Sequence, residues 1–222
     1  ILSLLPIHFK SLHKYRIQDK KPNAQVFYKR LPLIATNVVL LALISSFGLY
    51  GLYPMFDSSM EFDWVTILWQ VGLVLFVDDL WFYFIHRMMH VNKKLLKHIH
   101  SIHHRAFSPL ALDYLYVHPL EWLTGYLGPF AGMLIIYSIS PVSVWAFWIY
   151  QFLRNAHELE VHSGFRSSIS KWIPFWGENE HHDMHHEQLN GNYASTFTLW
   201  DRVFGTKMKD RTKKSKKAEN LN

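Results

Sequence analysis

The sequence contains no cysteine, which excludes disulfide scaffolds, thiolate metal sites and cysteine nucleophiles. Charged residues are also scarce, at 18% of the chain, whereas 50% of the residues are hydrophobic. That balance is too apolar for a disordered chain. Acidic residues are fewer than basic ones, and the net charge is +6. The 222 residues fit a single domain, which we predict over 1–222.

Long stretches without charge are the first positive feature. Residues 31–53 carry no charged side chain, and a helix of this length crosses a hydrocarbon core of roughly 30 Å. A second apolar stretch, 64–85, is interrupted only by two aspartates. Two more, 122–139 and 142–153, fit either a hairpin of two spans or a re-entrant pair. We therefore predict an all-α polytopic membrane protein with about four transmembrane helices in two hairpins.

The distribution of charge predicts the orientation of these helices. Basic residues cluster before the first span, after the second span and in the tail 207–222, whereas the loop 54–63 contains acidic residues and no base. Two helical hairpins place all the basic clusters on one face, which the positive-inside rule assigns to the cytosol. This arrangement indicates contact with an anionic membrane surface and predicts no nucleic-acid partner. A soluble helical protein with an apolar core is the alternative.

Histidine is unusually frequent, with fifteen residues, and most of these residues are grouped. Residues three and four apart share one face of a helix, so each group can direct two or three imidazoles at one point. Neutral imidazole ligates iron, copper, nickel and zinc. The grouped histidines exceed the needs of one ion, so the spacing predicts a site for two metals. One HxxxH motif and two HxxHH motifs supply them: His86 and His90; His100, His103 and His104; His182, His185 and His186.

Isolated histidines supply further candidates. We expect His162 and His118 to be additional metal ligands. His157 lies five residues before His162, about 140° away around a helix, so these two side chains cannot share one face. We expect His157 not to be a ligand, and we expect His181 to be a supporting or exposed group.

Carboxylates are expected to offset the excess positive charge of two ions by accepting hydrogen bonds from the imidazole N–H groups. Asp79 is the first candidate, because it lies seven residues before His86 on the same helical face. Asp183, inside the last histidine motif, is the second. Four further acidic residues have the same potential: Asp113, Glu121, Glu158 and Glu187.

The histidine motifs resemble those of the fatty acid hydroxylase superfamily, which comprises membrane-bound, histidine-rich diiron oxygenases. The similarity covers about residues 12–206. Within the superfamily, the sequence is most similar to the sterol 4-methyl oxidases, also called methylsterol monooxygenases. Besides the histidine motifs, four stretches carry this similarity: 15–18, 116–121, 161–164 and 191–206.

The resemblance implies a four-span helical bundle with a cytosolic cap that holds two iron ions. It further implies oxidation of an unactivated C–H bond in a lipid, most closely a 4-methyl group of a sterol. Members of the superfamily use dioxygen and electrons from NADPH or NADH, delivered through cytochrome b5 and its reductase or a similar donor. Eukaryotic members reside in the endoplasmic reticulum, and a bacterial member would lie in the inner membrane.

The chemistry explains why such a site lies at a membrane face. No side chain can attack an unactivated C–H bond, so a metal that activates dioxygen must supply the oxidant. The substrate arrives from lipid, and the electrons arrive from the cytosol. Eight aromatic residues are candidates to line an apolar substrate channel: Trp81, Phe82, Tyr83, Phe84, Trp145, Phe147, Trp148 and Tyr150.

Several alternatives stay open. Cholesterol 25-hydroxylases and sterol 5-desaturases share the histidine groups, so another sterol or fatty-acyl hydroxylase or desaturase is possible. A membrane zinc hydrolase would need a metal-bound water and a general base, but the sequence contains no HExxH motif. A metal transporter would place its ligands inside the spans, whereas these histidines cluster at the ends of spans and in polar segments.

Overall fold

The computed structural model describes residues 5–18, 23–166, 169 and 172–209. These residues are mostly helical, and their backbone pairing outside helices is limited to isolated bridges, so the all-α prediction is confirmed. Most of the predicted basic tail, 210–222, lies outside the described residues. The main helices are α1 Ala24–Gly51, α2 Trp64–Val91, α3 Pro119–Gly125, α4 Leu127–Tyr137, α5 Val144–Val161, α6 Asn179–Gln188 and α7 Leu199–Val203.

Helices α1 and α2 are the two described helices that are long and apolar enough to cross a membrane. Each has 28 residues, and their most apolar windows have mean hydropathies of 2.0 and 1.6. Asn23 and Asp63 start them by accepting hydrogen bonds from backbone N–H groups of the first turn. Helix α2 extends beyond the predicted end at residue 85. This extension places His86 and His90 on its last turns.

The other two predicted spans have different boundaries in the structure. The stretch 122–139 is divided between α3 and α4, which meet at Tyr126. Helix α4 has 11 residues and is therefore ~16 Å long, which is shorter than a hydrocarbon core. Helix α5 begins after the N-cap Ser143 and continues past residue 153 to Val161. The four-span arrangement therefore stays a prediction.

Helix α2 lies at the centre of the bundle and packs against α4 and α5. At Gly132 of α4, an added Cβ would lie 3.1 Å from the Cα atom of Val74, so a residue without a side chain permits the close approach to α2. Arg154 and Tyr150 of α5 both donate to Oδ2 of Asp78 in α2, at 2.8 and 2.7 Å. These contacts fix the register of α5 against α2.

Helix α1 is attached mainly through its N-terminal half. The amide of buried Asn37 donates to the carbonyls of Leu115 and Val117, at 2.8 and 2.9 Å. Only 11% of the most apolar window of α1 is buried, and apolar side chains such as Val39 and Phe47 are exposed. An apolar surface of this kind fits lipid better than water.

The histidine-bearing segments meet at one end of this bundle. They are the end of α2, the helical segment 93–104, the end of α5 and all of α6. The amide of Asn179 joins α6 to the end of α5 by donating to the carbonyls of Glu160 and Phe165, at 2.8 and 2.7 Å. Leu189, with φ of 59°, ends α6 in the left-handed conformation.

Candidate metal centre

Nine histidines form two adjacent groups, and within each group the potential ligand atoms lie within 4.8 Å of one another. In the first group, Nε2 of His100 is at the centre. It lies 2.8 Å from Nε2 of His90, 2.8 Å from that of His104 and 3.1 Å from that of His86. The first group comprises His86, His90, His100, His104 and His185.

The second group contains four buried histidines. Nε2 of His182 lies 2.9 Å from Nε2 of His162 and 3.1 Å from that of His186. Nε2 of His103 lies 3.4 Å from that of His162. The ring centroids of His104 and His186, one from each group, are 5.0 Å apart, so the groups adjoin. The second group comprises His103, His162, His182 and His186.

Each HxxHH motif is divided between the two groups, which differs from our expectation that a motif converges on one point. His100 and His104 enter the first group, whereas His103 enters the second. In the other motif, His185 enters the first group while its two partners enter the second. Residues four apart differ by ~40° around a helix, but adjacent residues differ by ~100°. The middle histidine therefore points to the neighbouring group.

A break after α2 turns the first HxxHH motif towards the pair on α2. Helix α2 ends at Val91, and the side chain of Asn92 accepts from the N–H groups of Lys94 and Leu95, at 3.0 and 3.2 Å. The chain thus restarts as a helix in a new direction. The turn Leu96–His100 is a π-helix, a wider form that is frequent at functional sites.

Three of the histidines considered as candidates lie outside both groups. His118, which we expected to be a ligand, instead accepts from the N–H of Leu120 through Nδ1 at 3.1 Å and caps α3. Nε2 of His157 lies 3.2 Å from the carbonyl oxygen of Ser195. His181 is buried rather than exposed. Our proposed ligand set therefore omits these three residues.

The contacts of Asp79 differ from our expectation. Its carboxylate accepts from the backbone N–H groups of Thr196 and Phe197, at 2.8 and 3.0 Å, and not from an imidazole. The reason is distance, since seven residues of helix place Asp79 ~10 Å from the level of His86. Asp79 thus anchors the segment 191–206 to α2.

Asp183 and Glu121, two other expected supporting carboxylates, have different partners. Asp183 accepts from the amide of Gln18 at 2.8 Å, so it joins α6 to the N-terminal segment. Glu121, by contrast, accepts a hydrogen bond from Nδ1 of His100 through Oε1 at 2.8 Å. The support that we expected from Asp79 is supplied to His100 by Glu121.

Backbone carbonyls orient three of the ligand rings. Nδ1 of His86 donates to Tyr193 at 2.7 Å, and Nδ1 of His185 donates to Gly191 at 2.8 Å. Nδ1 of His162 donates to the backbone carbonyl of Glu158, one helical turn earlier, at 2.9 Å. Because a carbonyl can only accept, each Nδ1 carries the proton and each Nε2 presents a lone pair. Sequence reasoning missed these contacts because they involve backbone atoms.

The two groups fit metal ions. Nε2 of His185 is buried and has no hydrogen-bond partner in the described part of the chain. Burial lowers the pKa of His185 and of His186 well below the usual value, and neighbouring imidazoles lower it further. The rings are therefore neutral, which is the form that binds metal. Lone pairs this close together repel unless a cation lies between them, and an imidazole set suits iron, copper, nickel or zinc.

Asp201 is a central residue of the site that sequence reasoning missed. Its carboxylate is fully buried and accepts from the N–H groups of Tyr193 and Ala194, both at 2.9 Å, and from the hydroxyl of Thr206 at 2.6 Å. Nε2 of His181 lies 3.1 Å away. Burial alone would raise the pKa of Asp201, but the nearby His181 and the hydrogen bond from Thr206 hold it below the usual value. Asp201 thereby fixes the loop that carries the carbonyl acceptor of His86.

We expect Asp201→Asn to lower the free energy of unfolding by ~2–3 kcal/mol, because charged hydrogen bonds are lost in a buried place. Metal affinity should fall by about 10–100-fold, since the loop orients metal-binding rings. Because the pKa of Asp201 is lower in the folded state than in the unfolded state, its stabilisation is full above about pH 4. The difference from wild type should shrink below that pH and vanish as the pH falls through the folded-state pKa. Denaturation in detergent at several pH values measures this effect.

Glu180→Gln is the matched control for Asp201→Asn. Glu180 is about half exposed and pairs with Arg166 at 3.2 Å, and pairs of this kind contribute ~0–1 kcal/mol. An equal loss of stability in both variants would show that Asp201 has no special role in holding the loop.

A pocket adjoins both histidine groups. Its apolar and aromatic lining includes Phe82, Tyr114, Val117 and Trp122. Of the eight aromatic residues expected to line a channel, Phe82 lines this pocket, whereas Tyr83 and Tyr150 are buried in the helical core. The remaining lining residues are mostly polar or charged: His86, His100, His103, Glu121, Gly125, Arg154, Glu158, His162 and His182.

Comparisons with known proteins agree with the motifs. Residues 71–206 match the family described as fatty acid hydroxylase. Methylsterol monooxygenase 1 of Gallus gallus is 34% identical over 202 residues, which cover 88% of this chain and 67% of the relative. Methylsterol monooxygenase 2-2 of Arabidopsis thaliana is 34% identical over 217 residues, covering 92% and 80%.

A second kind of relative is equally similar. The very-long-chain aldehyde decarbonylase GL1-11 of Oryza sativa subsp. japonica is 35% identical over 215 residues, which cover 92% of this chain and 78% of the relative. No solved structure matches the chain significantly. Both histidine groups lie within the matched residues, which confirms the resemblance. The chain is an integral membrane protein with a histidine metal site, and it belongs to the fatty acid hydroxylase family.

Proposed function

We propose that this protein is a membrane monooxygenase that oxidises a 4-methyl group of a sterol. The observation that carries the proposal is the convergence of nine imidazoles in two adjacent groups beside an apolar pocket. The names of the methylsterol monooxygenase relatives support the substrate class. The family and the donor set support two iron ions as the bound metals. When bound, the iron pair supplies the activation of dioxygen that no side chain can provide.

The residues of the chain orient the metal-binding rings, contact the lipid substrate and exclude water from the reacting carbon. The carbonyls that accept from His86 and His185 fix the direction of those rings. Phe82, Val117 and Trp122 offer an apolar surface to the ring skeleton of a lipid. The same side chains exclude water from the reacting carbon, which limits side reactions.

The electron donor and the location belong to the same proposal. We propose that electrons from NADPH or NADH reach the site through cytochrome b5 and its reductase or a similar donor. Exposed Lys93, Lys94 and Lys97 lie directly before the first HxxHH motif and favour an acidic partner.

We further propose a single domain with four spans in two hairpins and a cytosolic site, in the endoplasmic reticulum of a eukaryote or the inner membrane of a bacterium.

The first test compares substrates. Membranes that contain the protein are incubated with a 4-methyl sterol, a sterol without 4-methyl groups, a fatty acyl substrate and a long-chain aldehyde. We expect oxygen consumption and an oxidised product, identified by mass, with the 4-methyl sterol. Conversion of the aldehyde alone would instead favour the activity named for the rice relative.

Elemental analysis should give about two metal ions per chain, and active protein without metal would contradict the proposal.

A further inference from the structure

One carboxylate oxygen beside the metal centre is buried without a hydrogen-bond partner. Oε1 of Glu121 accepts from Nδ1 of His100 at 2.8 Å. Oε2 of the same group is buried and has no partner in the described ranges, and the side chain is only 12% exposed. Leaving a buried acceptor unpaired costs free energy. Such an atom therefore indicates a ligand that donates a hydrogen bond.

The surroundings of Glu121 indicate the chemistry of that ligand. Glu121 lines the pocket together with Phe82, Val117 and Trp122, which offer only apolar or aromatic contacts around it. The rest of the pocket is lined mostly by histidines, Arg154 and Glu158. An unpaired acceptor beside apolar side chains fits the hydroxyl-bearing end of a hydrocarbon skeleton.

The other charged residues of the pocket already have partners. The hydroxyl of Ser195 donates to Oε1 of Glu158 at 2.6 Å. Arg154 pairs with Asp78 at 2.8 Å and cannot accept a hydrogen bond. Glu121 is therefore the better placed acceptor for a hydroxyl.

We propose that Oε2 of Glu121 accepts a hydrogen bond from the 3-hydroxyl of the sterol and thereby selects which carbon is oxidised. This inference rests on the proposed function. The 3-hydroxyl and the 4-methyl group are on neighbouring ring carbons, so fixing one of them fixes the other. Because Glu121 is one hydrogen bond from His100, a hydroxyl held there places the 4-methyl group beside the first histidine group.

Glu121→Gln tests the direction of this hydrogen bond. The amide oxygen can still accept from His100, while the amide nitrogen would now donate into the pocket. The two substrates are a 3-hydroxy-4-methyl sterol, which can donate, and the corresponding 3-oxo sterol, which can only accept. We expect wild type to prefer the hydroxyl form in kcat/KM by about 10–100-fold. In Glu121→Gln this preference should disappear or be inverted.

Two further measurements separate substrate recognition from support of His100. Equilibrium binding of the two sterols to the metal-loaded protein without dioxygen should show the same change of preference. The metal content of Glu121→Gln should equal that of wild type. Glu158→Gln is the matched control, because it makes the same chemical change in the same pocket. It should leave the ratio between the two sterols unchanged.

The outcomes distinguish this inference from the proposed function. If wild type oxidises no 4-methyl sterol, the proposed function fails. If wild type oxidises the sterol but the ratio is equal in wild type and Glu121→Gln, or changes in Glu158→Gln instead, only the assignment of Glu121 is wrong. If Glu121→Gln does not fold, wild type alone decides. It should bind the 3-hydroxy sterol more tightly than its 3-methyl ether, and equal binding would overturn the assignment.

Discussion

His185→Ala and His103→Ala, each made alone, are expected to lower turnover of a 4-methyl sterol to background. Each side chain is the middle histidine of an HxxHH motif, and each belongs to a different group. Loss of an outer hydrogen-bond partner already costs about 10–100-fold in metal affinity or activity, and loss of a direct ligand should exceed 100-fold. Product formation and metal content per chain measure the effect.

The control for these variants is His98→Ala. His98 is exposed, belongs to neither group and lies on the same helical segment as His103. We expect its turnover and metal content to equal those of wild type. Activity retained in the double variant of His103 and His185 would be incompatible with a metal site built from both groups.

Removal of the metal is expected to lower the thermal stability of the protein substantially. Without a cation, the lone pairs of nine imidazoles face one another in a largely buried space. A ligand present at a thousandfold excess over its dissociation constant stabilises a fold by ~4 kcal/mol, so Tm should fall on the order of 10 °C in a domain of this size. Unfolding in detergent, followed before and after chelation, measures the shift.

Two additions complete the chelation experiment. Returning iron to the chelated protein should restore both Tm and turnover, whereas zinc should restore Tm alone because it has no redox chemistry. The same chelation applied to His185→Ala should change Tm less than in wild type. An unchanged Tm on chelation of wild type would show that the imidazole groups are stable without a cation.

The division of each HxxHH motif has a mechanical consequence. His182 and His186 lie in the second group while His185 lies in the first, so a single helix, α6, joins both groups. A shift of α6 along its axis would move ligands of both groups together. The two groups are thus held at a fixed separation by one rigid element, and the segment 93–104 does the same from the other side.

The local parts of the site could be predicted from the sequence because they depend on helical periodicity. The spacing of His86 and His90 predicted a pair on one face, and both rings enter the first group. The lack of charge between residues 31 and 53 predicted a long apolar helix, which α1 confirms with different ends. The family followed from the motifs and their neighbouring stretches, and the comparison confirmed it.

Packing decided the parts that join distant segments of the chain. Asp79 was the first candidate to support an imidazole but anchors a loop. Glu121, one of the further candidates, and Asp201, which was not a candidate, support the site. His118 was expected to be a ligand but caps a helix.

The sequence by itself therefore determined the helical class, the family and the histidines that can share a face. Only the tertiary structure decided which imidazoles belong to which group and which carboxylates hold them. The physical reason is the distance along the sequence over which each kind of information acts. Periodicity relates residues within a few turns, but the partners of a buried polar group are set by the packing of helices that are far apart in sequence.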